Sequence, residues 1–143
     1  MAEIFADTSG WANFFVRTEP FYAEARQRMQ QWRADDFHLI TTNYVLLELV
    51  ALFVSPLRVP RREQIRIIET IKSTSWVEII HIDSVLDEEA WNLLKARQDK
   101  NWSLVDCTSF VVMQHRQITQ AFTADHHFEQ AGFIQVLRRN TTN

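Results

Sequence analysis

The chain has 143 residues, 46% of them hydrophobic and 23% charged, a balance that is ordinary for one folded domain and excludes extensive disorder. It contains 15 Lys and Arg residues and 18 Asp and Glu residues, which gives a formal net charge of −3. This charge disfavours a conventional basic nucleic-acid-binding domain. Cys107 is the single cysteine, which excludes an intramolecular disulfide and, with no recognisable signal peptide, favours the cytoplasm.

Short apolar strands and longer helical segments alternate along the chain. Strands are predicted at residues 3–6, 37–41, 76–82, 120–123 and 133–137. Helices are predicted from residue 10 onward and at residues 21–33, 44–54, 60–72, 84–98 and 106–116. Thr8 or Ser9 is the expected cap of the first helix. The apolar run at 44–54 is interrupted by Glu48 and is well short of the ~20 residues of a membrane span, so no membrane association is predicted.

This alternation predicts an α/β fold in which a mostly parallel sheet of five strands is covered by helices on both faces. The expected architecture is a three-layer α/β/α sandwich formed by a single domain over residues 1–143. In open sheets of this kind, ligands bind at the carboxyl ends of the strands. Polar residues at those ends are therefore the first candidates for a functional site.

Two acidic residues follow predicted strands. Asp7 stands at the carboxyl end of the first strand, and Asp125 stands just past the fourth. Because the ends of parallel strands share one edge of the sheet, these carboxylates can converge on one site. The alternative for each is an ordinary helix N-cap, a role that Asp commonly fills.

Two further acids lie in apolar surroundings, and a third stands nearby. Glu48 sits within the run Leu46-Leu47-Glu48-Leu49-Val50, where an unpaired buried carboxylate would be costly. It is expected either to pair with a core arginine or to act as a ligand at the mouth of the sheet. Asp106 opens an apolar helix, with Asp99 seven residues earlier in a polar loop. Carboxylates gathered in this way repel one another, and a hard divalent cation such as Mg²⁺ or Mn²⁺ would relieve that repulsion.

Four segments of the chain resemble the PIN-domain ribonucleases, and are most similar to the stand-alone VapC-type toxins. The resemblance extends from about residue 5 to residue 133. Each segment alone is a weak indication, but all four occur in the family's order and with fitting spacing. The segments are Phe5-Ala6-Asp7-Thr8-Ser9, Thr42-Asn43-Tyr44-Val45-Leu46-Leu47-Glu48-Leu49, the stretch from Asp99 through Ser103 and Asp106 to Phe110, and Thr123-Ala124-Asp125-His126-His127-Phe128.

The resemblance implies a metal-dependent endoribonuclease that uses Mg²⁺ or Mn²⁺ and leaves a 5′-phosphate and a 3′-hydroxyl. It implies a quartet of catalytic acids, in which Asp7 and Asp106 bind the metal directly and Glu48 and Asp125 bind it directly or through water. It also implies a cognate antitoxin that inhibits the enzyme, and often a homodimer. The accessory residues expected to assist the quartet are Asp99, Thr8, Ser103 and Thr123.

Other residues are candidates for substrate binding. The basic side comprises 12 Arg and 3 Lys, and Arg is the better partner for bidentate contact with phosphate. Arg58, Arg61 and Arg62 are interpreted as RNA phosphate contacts, with a solvated helix face as the alternative. Trp102 is interpreted as a base-stacking residue, with packing in the core as the alternative. His126 and His127 fit a capping or phosphate-contact role better than metal ligation, because Mg²⁺ prefers oxygen.

Three other functions remain open at this stage. An RNA-processing nuclease of the same family would act without an antitoxin. An inactive RNA- or protein-binding module would keep the fold and lose metal binding. An aspartyl phosphotransferase of the haloacid-dehalogenase type would also place an Asp after the first strand, but it requires a second Asp two residues later, where this chain has Ser9.

Overall fold

The computed structural model describes residues 2–139, so Met1 and residues 140–143 of the expected 1–143 domain lie outside the described part. The order of strands and helices along the chain agrees closely with the prediction. The elements in chain order are β1 (Glu3–Ala6), α1 (Thr8–Phe15), α2 (Tyr22–Ala34), β2 (His38–Thr42), α3 (Asn43–Val54), α4 (Arg61–Ser73), β3 (Val77–Ile80), α5 (Ser84–Ala96), α6 (Leu104–Arg116), β4 (Gln120–Phe122), α7 (His127–Gln130) and β5 (Ile134–Gln135).

The five strands form one sheet in the order β3-β2-β1-β4-β5, and every neighbouring pair is parallel. The predicted α/β class and five-stranded sheet are confirmed. From β1 the chain proceeds outward through β2 to β3 and then returns to the other side of β1 to form β4. The strand order therefore reverses between β1 and β4, and the crevice at the carboxyl ends of these two strands is where such folds place their ligands.

Helices cover both faces of this sheet. Phe5 is paired in register with Ala121, and Ala6 with Phe122, so the rings of Phe5 and Phe122 point to opposite faces. The Phe122 ring packs edge-on against Trp11 of α1 and Trp32 of α2. On the other face, the Phe5 ring lies 6.4 Å from the ring of Phe128 of α7, which in turn packs against α6. This arrangement is the predicted three-layer sandwich.

The packing of α1 against β4 explains one of the two glycines. A Cβ atom on Gly10 would lie 2.0 Å from the backbone oxygen of Phe122, so no larger residue fits there without moving the helix. The start of this helix differs from the prediction. Helix α1 begins at Thr8, preceded by Asp7 in extended conformation, and neither Thr8 nor Ser9 caps it.

Caps define the starts of other helices. The Thr42 side chain accepts the backbone N–H of Val45 at the start of α3. Helix α6 begins at Leu104, two residues before the predicted start, because Ser103 caps it. The apolar segment of α3 buries Val45, Leu49 and other residues in the core. Within residues 2–139, no helix has both the length and the hydrophobicity that a bilayer crossing requires.

Candidate active site

Four acidic side chains gather at the carboxyl ends of β1 and β4. Asp7 directly follows β1, and Asp125 lies three residues after β4, the neighbouring strand. Helix α3 brings Glu48 and helix α6 brings Asp106 to the same place. The negative charge of Asp106 acts on both Asp7 and Glu48, and the charge of Asp125 acts on both Glu48 and Asp106. The structure therefore assembles all four predicted acids into one electrostatically coupled cluster.

Asp7 is the most deeply buried of the four, with 3% of its surface exposed. Burial, reinforced by repulsion from Asp106 and Glu48, raises the pKa of Asp7 to about 7, against the opposing effect of hydrogen bonds from Thr8 and Thr123. Its Oδ2 accepts a hydrogen bond from Thr123, whereas its buried Oδ1 has no hydrogen-bond partner among residues 2–139. A buried polar atom without a partner is rare and costly, and a bound ion would satisfy it here.

A short relay of hydroxyl groups holds the Asp7 carboxylate. The Thr123 hydroxyl donates to Asp7 Oδ2 at 2.9 Å and lies 2.9 Å from the Ser9 hydroxyl. Because Thr123 gives its only proton to Asp7, Ser9 is the donor in the second contact. The backbone N–H groups of Ala124 and Asp125 donate to Ser9 and Thr123, respectively. The relay therefore joins the ends of β1 and β4, and Ser9 is a contributor that the sequence interpretation considered only as a helix cap.

Glu48 is held by a hydroxyl group rather than by a cation. Its Oε1 accepts a hydrogen bond of 2.6 Å from the Thr8 side chain. Partial burial, together with repulsion from Asp106 and Asp125, raises the pKa of Glu48, although the Thr8 hydrogen bond opposes this rise. The alternative of a core arginine partner is not seen, since no Lys or Arg side chain in the described chain forms an ion pair with Glu48.

Asp106 is fixed by the loop that precedes it. The Ser103 hydroxyl accepts the Asp106 backbone N–H, and Asp106 Oδ2 accepts the Ser103 backbone N–H, each at 3.0 Å. This reciprocal pair is a capping box, so Asp106 also stabilises the start of α6. Burial raises the pKa of Asp106, with a further contribution from Asp125, while Ser103 and His127 lower it.

His127 reaches the acids, which sequence reasoning did not anticipate. Its Nδ1 lies 3.0 Å from Asp106 Oδ2 and 3.4 Å from Asp125 Oδ1. The His126 side chain is 70% exposed, and its Nδ1 is 3.8 Å from the same oxygen of Asp125. Asp125 and the two histidines place one ligand atom each within 4.8 Å of one another. The sequence offered a signal here, because His127 lies only two residues after an acid of the quartet.

Some predicted site residues lie elsewhere. Asp99 is exposed and pairs with Arg97, outside the set of coupled acids. Trp102 is 8% exposed, packs edge-on against Phe110 and donates its ring N–H to Gln130. Its ring belongs to the core, which corrects the interpretation of Trp102 as a base-stacking residue.

The basic segment with Arg58, Arg61 and Arg62 follows the far end of α3. These side chains are exposed, and Val54, the last residue of α3, lies six positions after Glu48. At 1.5 Å per residue, that is about 9 Å farther along the helix axis. Within residues 2–139, none of these arginines forms an ion pair with an acid of the cluster, and their contact with RNA stays a prediction.

The donor set fits a hard divalent cation. All four converging side chains are carboxylates, and no Lys or Arg within residues 2–139 neutralises any of them. The pKa values of Asp7, Glu48 and Asp106 are all raised, chiefly by burial. An oxygen-ligating cation would offset this burial and repulsion, and Asp7 Oδ1 supplies an oxygen that is otherwise without a partner.

Comparison with known proteins identifies the family. VapC20 of Mycobacterium tuberculosis, named a 23S rRNA-specific endonuclease, is 31% identical over 133 residues, which cover 93% of this chain and 97% of the relative. The crystal structure of VapC20, titled a Sarcin-Ricin loop cleaving toxin, matches with a TM-score of 0.81 and 30% identity over 92% of this chain and 97% of that one.

FitAcB from Neisseria gonorrhoeae matches with a TM-score of 0.61 and 14% identity over 92% of this chain and 94% of that one, a likeness of fold alone. The PIN domain family profile matches residues 4–134, nearly the whole described chain. The chain therefore belongs to the PIN-domain family.

Proposed function

We propose that this protein is a divalent-metal-dependent endoribonuclease of the VapC type. The observation that carries the proposal is the convergence of Asp7, Glu48, Asp106 and Asp125 at the strand-order reversal, with no Lys or Arg side chain of the described chain paired to them. The similarity to VapC20 over nearly the whole chain supports RNA as the substrate class. The proposed place of action is the cytoplasm.

The four acids would hold Mg²⁺ or Mn²⁺, with Asp7 and Asp106 as direct ligands and Glu48 and Asp125 binding directly or through water. Such an ion, when bound, activates a water molecule for attack and neutralises charge on the phosphodiester group. Cleavage would leave a 5′-phosphate and a 3′-hydroxyl.

The neighbouring side chains have defined tasks in this proposal. Thr123 holds the Asp7 carboxylate by donating to Oδ2, and Oδ1, which has no hydrogen-bond partner among residues 2–139, would be available to the cation. Thr8 fixes Oε1 of Glu48, and the Ser103 backbone fixes Oδ2 of Asp106. Because burial and repulsion favour the protonated acids, cation binding and proton release are coupled at this site.

Partners are proposed on the strength of the relatives. VapC20 is described as a toxin, and a toxin of this class requires a cognate antitoxin. We therefore propose an antitoxin partner, and we propose separately that the protein is a homodimer. Light scattering of the purified protein, alone and with the product of any adjacent small reading frame, tests both.

RNA cleavage tests the proposed activity. The purified protein, stripped with a chelator and then supplied with Mg²⁺ or Mn²⁺, is incubated with 23S rRNA and with an unrelated structured RNA. Cleavage is expected only after metal is restored, and it is expected to disappear in Asp106→Asn, which is almost isosteric but uncharged. Cleavage that persists in the chelator, or that is equal in wild type and Asp106→Asn, would refute the proposal. The choice between the two RNAs shows whether the substrate resembles that of VapC20.

A further inference from the structure

His127 is the first residue of α7, and its side chain is turned toward the acidic cluster. The imidazole is 21% exposed, with Nδ1 lying 3.0 Å from Asp106 Oδ2 and 3.4 Å from Asp125 Oδ1. Asp106 belongs to α6, whereas Asp125 follows β4. One ring nitrogen is therefore placed between two acids that separate elements contribute.

The two oxygens near this nitrogen already accept backbone hydrogen bonds. Asp106 Oδ2 accepts the N–H of Ser103 at 3.0 Å, and Asp125 Oδ1 accepts the N–H of His127 itself at 2.9 Å. When Asp106 is ionised its oxygen can only accept, and Nδ1 then carries the hydrogen in this contact. The imidazole thus adds a side-chain donor to Asp106 Oδ2, which the backbone already fixes, and its Nδ1 lies within ion-pair distance of Asp125 Oδ1.

The opposite oxygens of the same carboxylates are left for a ligand. Within residues 2–139, no hydrogen bond reaches Asp106 Oδ1 or Asp125 Oδ2. Each acid therefore has one oxygen held by protein donors and one oxygen available. Asp7 shows the same division, with Oδ2 held by Thr123 and Oδ1 without a partner. Fixing one oxygen of a carboxylate orients the other, as partners of metal ligands do in known sites.

We propose that His127 is a positioning residue of the metal site, which orients Asp106 and Asp125 through Nδ1 so that their second oxygens converge on one cation. The inference rests on the proposed function, since it requires the acids to bind a divalent ion. It does not make His127 a ligand itself. In a second interpretation, His126 and His127 bind a transition metal together with Asp125. The metal affinities of the His126 and His127 variants distinguish this interpretation from the proposal.

The test is a calorimetric titration of Mn²⁺ and Mg²⁺ into the full chain and its variants. His127→Ala removes the donor, whereas His127→Asn keeps an N–H near the position of Nδ1. His127→Gln, of similar size, places its amide near the position of Nε2 instead. His115→Ala removes an imidazole that is half exposed and paired with Glu89 on the surface, and so serves as the control.

His127→Ala and His127→Gln are expected to lower the affinity for both Mn²⁺ and Mg²⁺ by about 10–100-fold. This is the usual cost of losing a residue that hydrogen-bonds to a metal ligand. His127→Asn is expected to keep most of the affinity, and His115→Ala all of it. The Gln variant decides the matter if the Ala variant does not fold, because it fills the same space without the donor.

Three results would overturn the inference. One is a metal affinity of His127→Gln equal to that of the wild type. Another is a metal affinity of His127→Asn as low as that of His127→Gln. The third is a loss confined to Mn²⁺ and shared by His126→Ala, which would make the imidazoles ligands. A wild type that binds no divalent ion would instead refute the proposed function, so the two failures are distinguishable.

Discussion

Thr123 donates its hydroxyl to Oδ2 of Asp7 at 2.9 Å across 116 positions of sequence. This contact joins the ends of β1 and β4, the two strands between which the strand order reverses. Thr123 is fully buried and also accepts the backbone N–H of Asp125, so one hydroxyl group connects two acids of the cluster. The site is therefore built into the core, where an uncompensated carboxylate opposes folding.

The metal-free protein is expected to lose stability as the pH rises from about 4 to about 7. Burial raises the pKa of Asp7 from 3.8 to about 7, so over this range the native state retains a proton that the unfolded state has released. The free energy of unfolding therefore falls with rising pH and levels off above about 7. Urea unfolding at a series of pH values measures this trend.

Asp7→Asn is the matched control, because the Asn side chain has nearly the same shape as Asp but carries no group that titrates. The difference in stability between the two proteins isolates Asp7 from the other acids. We expect the stability of the variant to rise relative to that of the wild type between about pH 4 and about pH 7, and to exceed it above pH 7. A difference that does not change with pH would show that Asp7 does not titrate in this range.

Replacing Thr123 with Val is expected to impair both folding and catalysis. The variant leaves Asp7 Oδ2, the Ser9 hydroxyl and the Asp125 backbone N–H without their shared partner. Unsatisfied buried groups cost about 1–3 kcal/mol in the free energy of unfolding. The rate of RNA cleavage is expected to fall about 10–100-fold, because Asp7 loses its orientation. Thr123→Ser keeps the hydroxyl, and if it is as inactive as Thr123→Val, orientation by the hydroxyl is not the cause.

Gly10→Ala is expected to destabilise the protein by about 1–3 kcal/mol or more, as overpacking does in a close-packed core. The added methyl group would meet the backbone oxygen of Phe122 at 2.0 Å, so α1 must move away from β4. Because α1 carries Thr8 and Ser9, such a movement should also lower the cleavage rate. Thermal unfolding and the cleavage assay measure the two effects, and wild-type values in both would mean that the contact is not as close as described.

Asp99→Asn is expected to leave metal affinity and RNA cleavage equal to those of the wild type. The Asp99 carboxylate is exposed and pairs with Arg97, which lowers its pKa, and it takes no part in the coupling among the four acids. Calorimetry with Mn²⁺ on this variant and on Glu48→Gln separates the accessory acid from the cluster. A loss in Asp99→Asn comparable with that in Glu48→Gln would restore Asp99 to the site.

Periodicity and strand-end position predicted much of this molecule. The alternation of strands and helices predicted the parallel sheet, and the position of Asp7 and Asp125 after two strands of that sheet predicted that they can converge. Glu48 was identified because a carboxylate among Leu and Val residues requires a partner. These inferences depend on local patterns, which the sequence displays directly.

Other features depend on contacts between distant segments. Trp102 was misassigned because its neighbours in sequence are polar, whereas its burial comes from Phe110 and Gln130. The start of α1 was misplaced because Thr8 donates to Glu48, 40 positions away, instead of capping its own helix. The role of Ser9 likewise depends on Thr123, at the end of another strand.

Urea unfolding with and without Mn²⁺ tests whether these acids form a cation site that lowers the stability of the metal-free protein. At pH 8, saturating Mn²⁺ should raise the urea midpoint of the wild type, because a ligand that binds only the native state stabilises it. It should leave Asp7→Asn almost unchanged, although that variant is the more stable protein without metal. The same two preparations should differ in RNA cleavage, with activity in the wild type alone. Equal shifts of the urea midpoint in both proteins, or none in either, would mean that Asp7 is not part of a metal site.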